Sequence, residues 1–136
     1  MNTKEYAAKR VNDKLLGYKI RNKLFPGEDK YFKENPKVAG MASFETNDII
    51  LNPYSSPSVN KEAVAKNEAL RLKMNEEKFI PNIEITEDQK KFFKGTEYEG
   101  NDKDIKQTIF ARIHSKDKSA QATKEQLEEY NKYIKQ

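Results

Sequence analysis

The side chains here with the means to do chemistry are few: one imidazole, His114, and a polar run on one helical segment, Asn67, Glu68 and Arg71. Hydrolysis through a hydroxyl nucleophile would use His114 as base, beside a Ser and an Asp brought in by folding. No G-x-S-x-G elbow supports that arrangement, and His114 reads instead as a cation at a helix C-terminus, where the dipole favours it. Asn67 lies between Ala63, Leu70 and Met74 on the inward arc of its helix, where a polar group must find hydrogen bonds. Two roles follow. Asn67 belongs either to a hydrolytic or binding site with Glu68 and Arg71, or to a structural tie that holds the backbone of the Asn52–Ser58 loop. The tie is the expectation, because buried polar groups most often serve structure. Glu28-Asp29-Lys30 has the spelling of a metal-nuclease pair but follows Pro26-Gly27 rather than lying on a strand. A single His and no Cys exclude a two-histidine zinc motif, a thiolate zinc site, a cysteine nucleophile and a disulfide framework. Gly-Lys-Ser/Thr and G-x-G-x-x-G are both absent, which removes the usual phosphate and dinucleotide cradles. No catalytic residue, metal or cofactor is expected.

Composition sets the next limits. The chain has 136 residues, 35% of them hydrophobic and 35% charged, enough for one domain with a thin core. No apolar run approaches the ~18 residues of a membrane span, and the start MNTKEYAAKR lacks the apolar stretch of a secretory signal. The net charge of +4 is unevenly placed. Residues 1–24 carry seven basic and two acidic side chains, a net of +5, so the rest of the chain sums to −1. Basicity is therefore a property of the N-terminal segment. Four Arg are few for reading phosphates or base edges. The fourteen Tyr and Phe are needed for packing before any could form a stacking platform for single strands.

The elements that must position these groups follow from periodicity and caps. Residues 3–24 predict a helix that stops before Phe25-Pro26-Gly27. Its apolar residues form two stripes, Ala7, Val11, Leu15 and Tyr18 on one side and Tyr6, Leu16, Ile20 and Leu24 on the other. Either the helix is sandwiched, or one stripe meets another chain, or the helix breaks at Gly17. Glu28–Asn35 is a short helix or turn. Val38–Glu45 and Ile49–Tyr54 predict a hairpin around Thr46-Asn47-Asp48. Two Pro keep the segment Asn52–Ser58 irregular. Asn60 caps a helix running to about Lys78, with Ala63, Val64, Leu70 and Met74 inward. Phe79–Ile85 is extended. Thr86 and Gln89 form a capping box for a short helix through Phe92 and Phe93, with Gly95 past its end. Asn101 or Asp102 caps a helix bearing Ile105, Ile109, Phe110 and Ile113. Thr123 and Gln126 form a second capping box, for a last helix with Leu127, Tyr130 and Ile134 inward. The expected class is α+β: one mostly helical domain, residues 28–136, with a small β-hairpin, preceded by a basic helical arm, residues 1–24.

The order of short motifs from Asn52 to Gln126 carries a resemblance. Asn52-Pro53-Tyr54-Ser55 precedes Asn67-Glu68-Ala69-Leu70-Arg71-Leu72-Lys73-Met74. Phe92-Phe93-Lys94-Gly95-Thr96-Glu97-Tyr98 comes next, then Gln107-Thr108-Ile109-Phe110-Ala111-Arg112-Ile113 and Ser119-Ala120. This block, a little over half of the chain, resembles an uncharacterised family of small proteins and segments encoded by tailed bacteriophages and other mobile elements. The resemblance implies a phage gene product, working in the cytoplasm of a bacterial host or carried in the particle, and assigns no site residue. Together the readings point to a non-enzymatic protein-binding module, a minor virion component or an accessory protein aimed at a host complex. Its partner, a phage or host protein, would dock on Leu16, Ile20 and Leu24, flanked by Lys9, Lys19 and Lys23. Two alternatives stand beside it: a nucleic-acid-associated protein using the basic arm, and a hydrolase sited near Asn67, Glu68 and Arg71. No membrane partner is expected, and self-association is left open.

Overall fold

Glycine and left-handed backbone decide how the described chain begins. The computed structural model describes residues 14–117 and 121–135. Leu16 and Gly17 have φ of 55° and 86°, and two successive residues there cannot continue a right-handed helix. The helix expected over 3–24 is therefore absent from its described part, and the chain turns at Gly17, the break that is one of the three alternatives. Residues 14–17 form a turn, closed by the Tyr18 N–H donating to the Leu15 carbonyl at 2.9 Å, and the chain then runs extended. The portion of that expected helix before Lys14 lies outside the described residues. Leu16 and Tyr18 are buried in the main hydrophobic cluster, so this end of the expected arm is anchored in the domain's core.

The rest follows in the order α1 (Pro26–Glu34), β1 (Gly40–Ser43), β2 (Asp48–Leu51), α2 (Lys61–Glu76), α3 (Glu87–Phe92), α4 (Asp102–His114) and α5 (Lys124–Ile134). This is a small α+β fold, helical for the most part, with one hairpin. β1 and β2 pair antiparallel, Gly40 opposite Leu51 and Ser43 opposite Asp48. The extended N-terminal segment lies along the other side of β2. Ile49 donates to the Lys19 carbonyl at 2.9 Å and accepts from the Arg21 N–H at 2.8 Å, a parallel bridge centred on Ile20. β2 is thus flanked on both sides. Arg21 fastens this segment: its guanidinium pairs with Glu28 at 2.8 Å and Asp48 at 3.0 Å and lies 4.3 Å from the Phe25 ring centre.

α2 crosses the hairpin and packs on α4. Gly40 is where this approach is closest, since a Cβ there would stand 2.8 Å from Val64 Cγ1 and 2.9 Å from the Ile50 carbonyl. The buried residues of α2 are Ala65, Ala69, Leu70, Leu72 and Met74; Ala63 and Val64, expected inward, are only half-buried. The core continues through Ile105, Ile109 and Phe110 of α4 and Tyr133 of α5. Tyr133 stacks on Phe79, rings 4.0 Å apart, and Leu127, expected inward, is 41% exposed. The helix starts match expectation: Asn60 accepts from Ala63, Asn101 from Asp104, and both capping boxes form. The two box glutamines also pair with each other, Gln89 Nε2 donating to Gln126 Oε1 at 2.8 Å and Gln126 Nε2 to Gln89 Oε1 at 2.9 Å.

Candidate functional site

Packing of α2 on α4 turns Asn67 and Arg71 toward α4. Arg71 donates from Nε to Asn67 Oδ1 at 2.9 Å and from Nη2 to the buried Thr108 Oγ1 at 3.1 Å. Its guanidinium also faces the Tyr98 ring, 5.7 Å from the centroid. One turn along α4, Arg112 lies 5.1 Å from the ring centres of both Phe92 and Phe93. Burial lowers the Arg112 pKa and raises that of Tyr98, while the Arg71 charge pulls Tyr98 back down. The fold therefore gathers Asn67, Glu68 and Arg71 with three residues that sequence reasoning missed: Tyr98, Thr108 and Arg112. Thr108 had a signal, being a polar residue set within the Ile105–Ile109 apolar stripe.

Glu68 is the unusual member. Its carboxyl sits against β1, where the backbone N–H of Ala42 and the charge of Arg71 favour ionisation. Burial outweighs both and pushes its pKa up to about 7. It borders a cavity of about 350 Å³ shared with Gly40, Asn60 and Asn67. Such a group can hold a proton or a charge near neutrality, as general acids and ligand counter-ions do.

The loop tie is made elsewhere. Asn52, buried after β2, donates from Nδ2 to the carbonyls of Val38 at 2.7 Å, Asn35 at 3.2 Å and Phe32 at 3.3 Å. Its Oδ1 accepts from the Tyr54 N–H at 2.8 Å. Asn67, expected to perform this task, is bonded to Arg71 instead, because its helical face turns toward α4 and away from the loop. His114 is the last residue of α4, the helix-end position expected of it. Burial holds its pKa below the usual value, which disfavours the cation expected there, and its Nδ1 shares a 2.8 Å hydrogen bond with the Tyr130 hydroxyl.

Of the residues expected to meet a partner, Leu16 is core, Leu24 is half-buried, Lys19 and Lys23 are exposed, and Lys9 lies outside the described residues. Ile20 is 38% exposed and shares an open apolar groove with Leu15, Leu51 and Ala65, bordered by Lys14, Lys61 and Glu62. Lys14 pairs with Glu62 at 3.1 Å. Among the described residues, no group of three or more His, Asp or Glu could hold a metal ion, and no helix is long and apolar enough to cross a membrane. Comparison of the chain with protein-family models, curated proteins and solved structures finds no match.

Proposed function

We propose that this chain is a non-enzymatic protein-binding module of a bacteriophage, either a minor virion component or an accessory protein acting on a host complex. The phage setting rests on the ordered motifs between Asn52 and Gln126. The observation that carries the binding role is Ile20, an aliphatic side chain 38% exposed over a groove of Leu15, Leu51 and Ala65. The partner that fits is a protein segment with an apolar side chain for this groove and acidic neighbours for Lys19, Lys23 and Lys61. Its apolar contact supplies affinity, and the lysines speed encounter. The nucleic-acid alternative draws on the same positive segment, but Arg21 is committed to Glu28 and Asp48 and Lys14 to Glu62, which leaves less charge for phosphates.

Photo-crosslinking from position 20 in phage-producing bacteria tests the reading. A benzoylphenylalanine at Ile20 is expected to capture one protein, and Ile20→Asp to weaken binding of that protein at least about ten-fold while the fold persists. Leu16→Asp serves as the contrast and is expected to unfold the domain. Unchanged binding by Ile20→Asp would remove the groove from the reading. A steep loss of binding with rising salt would favour nucleic acid.

A further inference from the structure

The cavity between β1 and α2 has a buried carboxyl residue, Glu68, in its wall. Its charged lining groups are Glu68, Asp117 and Lys116. The neighbouring Arg71 guanidinium gives hydrogen bonds to Asn67 and Thr108 and acts on Glu68 through its charge alone. Among the described residues, no cation stands within ion-pair distance of Glu68. Glu68 lines the cavity together with Gly40, Asn60, Ala63, Val64 and Asn67.

We infer that this cavity binds a cationic group on a slender stem, an alkylammonium or guanidinium, with the Glu68 carboxylate as its counter-ion. A carboxylate withdrawn from water gains more from a partner charge than an exposed one, because the surrounding dielectric is lower. A volume of about 350 Å³ lies within the range of small-ligand sites and accepts the end of a lysine or arginine side chain or of a polyamine. Lys116 competes for the same counter-ion from the rim, and its removal strengthens binding. The site is separate from the Ile20 groove, and either can exist without the other.

Binding requires ionised Glu68. The groups that face it are Arg71 from its own helix, Tyr98 from the connection before α4, and Lys116 and Asp117 after α4. Tyr98 is held neutral by its raised pKa, so the dependence near neutrality follows Glu68. With its midpoint at about 7, only about a tenth of the molecules are competent one pH unit lower, and apparent affinity falls about ten-fold.

Titration calorimetry of the full chain provides the test, using agmatine as the free amine and acetyl-Ala-Lys-Ala-amide and acetyl-Ala-Arg-Ala-amide as side-chain probes. At least one probe is expected to bind at mildly alkaline pH. Preference for agmatine identifies a free amine as the natural ligand; preference for a peptide identifies a protein side chain. Glu68→Gln is expected to weaken binding at least ten-fold and Lys116→Gln to strengthen it. Ala63→Leu fills the cavity without changing charge and should also abolish binding, which covers the case in which Glu68→Gln fails to fold. No binding of any probe at millimolar concentration overturns the inference. So does undiminished binding by a folded Glu68→Gln variant, or binding of inorganic phosphate in place of the amines.

Discussion

Asn52 and Glu68 show how differently two polar side chains can use burial. The Asn52 amide has four backbone partners, so Asn52→Ala strands several groups at once and is expected to cost about 2–4 kcal/mol. Asn67→Ala removes one half-buried bond to Arg71 and should cost about 1 kcal/mol. Urea midpoints of the two variants check the order; equal losses would contradict it. Glu68 acts on stability in the opposite sense. Its folded pKa is raised from 4.5 to about 7, so the folded state binds more protons between those values. Its contribution is fully present below pH 4.5 and is lost as pH rises through about 7. Glu68→Gln should therefore match wild type in mild acid and be more stable above neutrality, by about 1–3 kcal/mol, in melts across that range. The sequence marked Asn67, Glu68 and Arg71 as a unit but could not show where they face. Arg71 reaches Thr108 across 37 residues, a choice made by helix packing.

Local chemistry made some elements legible in advance. Thr86 with Gln89 and Thr123 with Gln126 announce helix starts because each box closes within four residues. What the boxes could not announce is that their glutamines meet. Each Oε1 accepts from its own cap N–H and from the other amide, while Gln126 Nε2 also donates to the Glu84 carbonyl at 2.7 Å. A double-mutant cycle on Gln89→Ala and Gln126→Ala is expected to give a coupling of about 1–2 kcal/mol, read from denaturation midpoints. Additive losses would mean that the two caps act alone. The first helix misled for a physical reason. Leu16 and Tyr18 do go inward, and Ile20 does stay partly exposed, but what places them is a left-handed turn at Leu16-Gly17 followed by extended chain, not a helical period. Gly17 is the local sign of a break, but the pairing partner of the extended chain after it, Ile49, lies 29 residues away and leaves no local signal.

At the scale of the molecule, the N-terminal segment closes the fold. Arg21 joins it to α1 through Glu28 and to β2 through Asp48, with side chains less than one-fifth exposed. Arg21→Ala should cost about 1–3 kcal/mol, and Arg21→Lys should recover only part of it, because an ammonium cannot reproduce the fork to two carboxylates. Thermal melts of both variants check this; full recovery by Lys would reduce the clamp to simple charge. The segment's other task is to cover β2. If residues 19–21 lift away while the core holds, Ile49 presents its amide and carbonyl to any passing chain, next to the apolar Ile50 and Leu51. Shelf life would then be governed by how often this one flap peels back, a local event that overall stability does not measure. Two preparations with equal melting points could differ widely in clumping, the one with a weakened flap seeding strand-on-strand aggregates first.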